Sequence, residues 1–227
     1  MTKRYFTVAI DGPAGAGKST LARQAAAALD FVYVDTGAIY RTVGYAVHMS
    51  GADVSDQSAV EGLLETTTVQ LQWAEDGVQH MLLNGVDVTE QIRRPEISQM
   101  ASKVSAIPAV RQFLMDTQRD TAKTHSVIMD GRDIGTVVLP NADVKIYLTA
   151  SAEARARRRF AELQEKGVAT TFDEVLTEMI ERDTRDMNRA VAPLRAAEDA
   201  ILLDTSELTL QESIDAILSV IREKLEL

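Results

Sequence analysis

Residues 9 to 20, AIDGPAGAGKST, constrain this chain more than any other stretch. Glycines at 12, 15 and 17 stand with Pro13 between an apolar run and a lysine, where neither helix nor strand is favoured. Glycine adopts backbone angles closed to other residues and lets the main chain approach a ligand, so such a cluster marks a ligand-hugging turn. From Gly12 the spacing G-x-x-x-x-G-K-S closes on Gly17, Lys18 and Ser19. In that pattern backbone N–H groups cradle phosphates, the lysine reaches the outer ones and the hydroxyl meets magnesium. The flanks agree: YFTVAI before the loop suits a buried strand, and KSTLARQAAAALD after it is helical. The loop thus opens a helix, whose unpaired amides and dipole favour an anion. Gly12, Pro13, Ala14, Gly15, Ala16, Gly17, Lys18, Ser19 and Thr20 are the expected seat of ATP.

At 227 residues the chain suits one sizeable domain, or a domain carrying an insertion. The absence of cysteine removes disulfides, thiolate catalysis and zinc-thiolate sites together. A net charge of −10 argues against wrapping a nucleic-acid backbone, which calls for a positive surface. No apolar run reaches the length of a membrane span, and the N-terminus runs straight into the phosphate loop. The expectation is a cytoplasmic monomer that binds neither nucleic acid nor membrane.

Five short apolar runs read as buried parallel strands: YFTVAI (5–10), FVYV (31–34), SVIM (126–129), VKIYL (144–148) and AILL (200–203). Helical stretches separate them, which predicts an α/β, three-layer P-loop fold on a five-stranded parallel sheet, with ligands at the strands' carboxyl ends. Between the second and third runs, residues 68–92 alternate apolar and polar side chains and carry Asp76-Gly77 and Asn84-Gly85. Those dipeptides are hairpin signals, so a three-stranded antiparallel meander is inserted there. The expected division is a core of 1–35, 125–150 and 190–227, a subdomain of about 36–124 that contains the meander, and a lid of about 151–189. The last helix carries an apolar stripe and should cover the sheet. His48, His80 and His125 share no ligand spacing, and Trp73 suits the subdomain's packing better than base stacking.

A phosphate loop alone leaves the acceptor open. No N-K-x-D segment supports a guanine-reading switch, whereas a small kinase needs a second anion pocket. VDTGAIYR (34–41) leaves a strand and enters a helix near Thr36, presenting Tyr40 and Arg41 where another phosphate could be held. DGRD (130–133) places Asp130, Arg132 and Asp133 at the ligand edge. Farther on, Arg155 lies three and four residues before Arg158 and Arg159, while Arg182, Asp186 and Arg189 recur at four and seven; each set shares a helix face. Arg157 points elsewhere, and Arg185 reads as a solvated charge. Arginines on a mobile lid would neutralise a transferring phosphoryl group.

At full length the chain resembles the bacterial-type cytidylate kinases of the nucleoside monophosphate kinase family. The resemblance is carried by DGPAGAGKST (11–20), DTGAIYR (35–41), LLNGVDVTEQIR (82–93), ASKVSAIPAVR (101–111), DGRDIGTVV (130–138), RARRR (155–159) and ERDTRDMNRAVAPL (181–194). It implies phosphorylation of CMP, and of dCMP, by ATP with magnesium. Thr36, Arg41 and Arg132 would hold the CMP phosphate, Ser102, Arg111 and Asp133 would read the cytosine, and Arg182 with Asp186 would meet the ribose, with Arg189 lining the same pocket. Lys18, Arg155, Arg158 and Arg159 would carry catalysis. Ser19 would bind the metal directly and Asp130 through water. The residues taken alone leave open another small acceptor, such as UMP or a sugar acid, or an ATP-binding regulatory module without phosphoryl transfer.

Overall fold

A computed structural model of the chain describes residues 5–74 and 77–227. Five of the described strands, β1 (Thr7–Asp11), β2 (Val32–Asp35), β6 (Val127–Gly131), β7 (Val144–Thr149) and β8 (Ile201–Asp204), form one sheet in the order β2-β6-β1-β7-β8. Every pairing in it is parallel. These are the five apolar runs of the sequence; helices bury both faces of β1 and β6, whereas Leu202 of the edge strand β8 is exposed.

Alternate residues of a strand face opposite ways, so each strand serves two cores. Val8 and Ile10 of β1 pack with Leu21, Ala22 and Ala25 of α1 (Lys18–Leu29) and Ile217 and Ile221 of α8 (Leu210–Leu225). Ala9 faces the other way, toward Ile39 and Val43 of α2 (Thr36–Ser50), Ile97 and Val104 of α4 (Pro95–Val104), and Val110 and Leu114 of α5 (Pro108–Thr124). Prolines open α4 and α5 at their first turns, where a missing N–H costs nothing.

The meander is β3 (Val69–Trp73), β4 (Gln79–Leu83) and β5 (Val86–Asp87), antiparallel throughout and preceded by α3 (Gln57–Leu64). Its second turn has Asn84 and Gly85 both at positive φ, as the Asn-Gly pair predicts; Asp76 of the first pair lies outside the described residues. Trp73 is 37% exposed and donates its indole N–H to the Tyr33 carbonyl at 3.4 Å, joining the meander to β2. The arginine-rich segments form α6 (Ala152–Glu165), capped by Ser151, and α7 (Phe172–Met187), opened by a Thr171–Glu174 capping box.

Candidate active site at the carboxyl edge of the parallel sheet

The phosphate loop leaves β1 and enters α1 through Gly17, whose φ of 86° is left-handed. At Gly12 the constraint is contact, since a Cβ there would sit on the carbonyl oxygen of Leu148 in β7. No side chain caps α1, so its first N–H groups are left to an anion. Lys18 is buried and donates from Nζ to the Pro13 carbonyl at 2.6 Å. Burial, and then the positive charge of Arg132, hold its ammonium well below the usual lysine range. A buried cation bonded to its own loop's carbonyl is set up to gain from an anionic ligand.

Three carboxylates lie at the carboxyl ends of β2, β6 and β1. Asp35 of β2 stands in register with Asp130 of β6, and Asp11 ends β1. Asp130 accepts from the Ser19 hydroxyl at 2.9 Å and from the Tyr33 hydroxyl at 2.8 Å. Burial, then the neighbouring Asp35 charge, push its carboxyl up. The Ser19 hydroxyl and Asp130 carboxylate are hard oxygen donors side by side at the phosphate loop, which fits magnesium. That ion keeps several waters and needs only one or two protein ligands besides substrate phosphates. Among the described residues no group of three or more His, Cys, Asp or Glu could hold a metal.

The expected acceptor residues gather beside this loop. Asp35 caps α2 through the Ala38 N–H at 2.8 Å and pairs with Arg41 at 2.9 Å. The Thr36 hydroxyl donates to the Asp130 carbonyl at 2.7 Å. Asp186, with 0% of its side chain exposed, pairs with Arg132 at 3.0 Å and with Arg189. Arg182 is pushed down to about 10 by burial and then by Arg132, with Arg189 and Arg41 adding to it. Lys18 in turn feels both Arg132 and Arg182. The loop lysine and the arginines of the Asp186 cluster are thus close enough to lower one another's affinity for protons. One step away, Arg111 pairs with Asp133, both buried, and the guanidinium lies 5.8 Å from the Tyr40 ring centre. A second Arg111 nitrogen donates to the Ser105 carbonyl at 3.4 Å, in the turn that follows half-buried Ser102.

The four arginines of α6 meet different surroundings. Arg155 is buried and donates to the carbonyls of Ala14 in the phosphate loop and Ala150 after β7, each at 2.9 Å, and to Asp183 of α7 at 2.6 Å. Arg158 binds the Thr205 carbonyl after β8, and Arg159 pairs with Glu162 at 2.7 Å on a half-open surface. Arg157 is exposed. Arg155→Ala leaves the buried Asp183 carboxylate and two loop carbonyls without their donor, so it should destabilise the fold by roughly 3–5 kcal/mol. Arg157→Ala should stay within about 0.5 kcal/mol of wild type. Urea unfolding of both variants checks this, and equal losses would refute the distinction.

Sequence reasoning passed over Asp11, Tyr33, Asp35, Gln79 and Asp183. Gln79 of β4 accepts from the Asp35 N–H at 2.8 Å and returns a bond to the Asp35 carbonyl at 3.3 Å, clamping the meander onto the end of β2. Nothing local announces that contact, which spans 44 positions. Asp11 and Asp35 did carry a signal: each is an acid closing an apolar strand at the edge where ligands bind.

A family model described as cytidylate kinase matches residues 8–223. Cytidylate kinase of Carboxydothermus hydrogenoformans is 49% identical over 217 residues, covering 96% of this chain and 97% of that protein. Cytidylate kinase of Pasteurella multocida is 46% identical over 222 residues, covering 98% and 97%. Among solved structures, TT1252 from Thermus thermophilus aligns with a TM-score of 0.50 at 16% identity, over 98% of this chain and 99% of that one, a likeness of fold alone.

Proposed function

The chain belongs to the cytidylate kinase family, and from that premise we propose how its residues carry the family's reaction, ATP + CMP giving ADP + CDP. The observation that carries the assignment of sites is that Asp130 accepts from Ser19 of the phosphate loop on its carboxylate and from Thr36 on its carbonyl, two residues before Arg132, which pairs with Asp186 of α7. It supports ATP on residues 12–20 and the acceptor phosphate against Arg41, Arg132 and Arg189, with Thr36 beside them. Arg182 and Asp186 meet the ribose, and Ser102, Arg111 and Asp133 line the base. Tyr40, whose ring centre lies 5.8 Å from the Arg111 guanidinium, lines the same pocket.

No general base is required. The second pKa of a phosphate monoester is near ~6, so the acceptor oxygen is already ionised at neutral pH. The protein's work is to hold two anions in line, offset their repulsion and exclude water. Ser19 directly, and Asp130 through a water, would hold magnesium, which would supply charge neutralisation of the donor phosphates. Arg155, tied to the Ala14 carbonyl, keeps the loop's shape as well as its charge. Residues 36–124 and 151–189 act as the acceptor subdomain and the lid on a core of 1–35, 125–150 and 190–227. The Gln79 clamp is the point through which the meander reaches the acceptor phosphate site.

Among the described residues no helix is long and apolar enough to cross a membrane, and we place the reaction in the cytoplasm, carried out by a monomer. The test is ADP release with ATP and magnesium against CMP, dCMP, UMP and a sugar acid. CMP and dCMP should be turned over, UMP at least tenfold less efficiently. ATP binding with no stimulation by any acceptor would overturn the proposal in favour of a regulatory module.

A further inference from the structure

The segment that follows Arg132 and Asp133 is a single helical turn, Ile134–Val138, of the wide π type. One turn of that kind does not stand alone, because its first N–H and last C=O groups have no partners within it. Both ends are capped from elsewhere. Asp11 of β1 accepts from the Ile134 N–H with one carboxylate oxygen and from the Gly135 N–H with the other, each at 2.7 Å. Arg119 of α5 donates to the Val137 carbonyl at 3.0 Å and to the Val138 carbonyl at 2.8 Å. The charges match the turn's dipole, negative at the N-terminus and positive at the C-terminus.

Asp11 has a second neighbour. The next residue, Gly12, begins the phosphate loop. Strand alternation turns the Asp11 side chain away from α1, on the same side as Ala9, so one residue of β1 grips the acceptor loop while the next starts the donor loop.

We propose that Asp11 is a positioning residue, which fixes the loop bearing Arg132 and Asp133 in register with the phosphate loop so that donor and acceptor meet in line. It touches neither nucleotide. Burial pushes its carboxyl up to about 6, and the two amide N–H groups, one on each oxygen, oppose that rise by favouring the ionised form. In-line transfer tolerates little displacement, and a shift of about 1 Å between the two substrates can cost on the order of 10²-fold in rate. The proposal rests on the assignment of Arg132 and Asp133 to the acceptor.

The experiment measures Asp11→Asn and Asp11→Ala for kcat with CMP and with UMP, for affinity toward a fluorescent ATP analogue without acceptor, and for Tm. The expected result is a fall in kcat for CMP of roughly tenfold to a hundredfold, a smaller CMP-over-UMP preference, and ATP affinity within about threefold of wild type. Asparagine, which keeps one acceptor oxygen, should lose less than alanine. A lowered Tm with kcat and base preference at wild-type values would reduce Asp11 to a purely structural role and overturn the proposal. Loss of ATP affinity in step with kcat would overturn it too, by placing the effect in the donor loop. If Asp133→Asn leaves base preference untouched while Asp11→Asn still lowers kcat, the base assignment fails and the positioning role stands. Should both Asp11 variants fail to fold, amide NMR of the wild-type chain decides: Ile134 and Gly135 protons must be downfield and protected from exchange, and rapid exchange at both overturns the proposal.

Discussion

Lys18→Ala should lower turnover by on the order of 10²-fold or more while leaving the fold in place. The lysine is 5% exposed, and its bond to the Pro13 carbonyl lies inside the phosphate loop. Removing it takes away a cation without orphaning a carboxylate, so the stability cost stays modest. Catalysis has no such shelter. Negative charge on the transferring group shifts toward the bridging and leaving oxygens as transfer proceeds, and a fixed cation in a water-poor site stabilises that state more than the ground state. The burial that depresses its pKa also raises its electrostatic leverage. The loss should therefore fall on kcat more than on KM for ATP. Circular dichroism establishes folding and steady-state kinetics reads the effect. Turnover within a few-fold of wild type in a folded variant would remove Lys18 from the reaction.

Asp133→Asn should relax base selection. Cytosine presents an amino donor at N4 beside acceptors at N3 and O2, whereas uracil exchanges the first two for an acceptor and a donor. A carboxylate accepts only, so it suits N4 of cytosine and repels O4 of uracil. Its pairing with Arg111 places a guanidinium next to it, and that group can donate to the acceptors of the same edge. One mismatched, desolvated polar contact is worth roughly 1–3 kcal/mol, about tenfold to a hundredfold in kcat/KM. Asparagine can keep one oxygen on Arg111 and turn its amide toward O4, so the CMP-over-UMP ratio should fall by that factor. Stability should fall as well, because Arg111 then faces a neutral partner in a buried site. Equal losses for both substrates would mean that Asp133 only braces its loop.

The five sheet strands, the meander and the phosphate loop were legible because each is written in neighbouring residues. Apolar runs, period-two alternation, Asn-Gly and the glycine spacing act over a few positions, and the backbone obeys them locally. The convergence of arginines was legible only as a list of candidates. Helical spacing put Arg155, Arg158 and Arg159 on one face of α6, but it could not say what lies opposite that face. The structure gives Arg155 to the phosphate loop and Asp183, Arg158 to Thr205, and Arg159 to its own helix.

Local pattern thus determined by itself where the chain runs straight, where it turns and where the glycine loop opens a helix, since those depend on sterics and hydrogen bonding within a few residues. Only the tertiary structure decided which carboxylate answers which cation. Asp11 reaches amides 123 and 124 positions away, Arg132 pairs with a carboxylate 54 away, and Gln79 clamps a strand end 44 away. Such partners are chosen by the packing of helices on both faces of the sheet, which brings strand ends together at one edge. A charge buried there must then be paired by whatever the fold has set beside it.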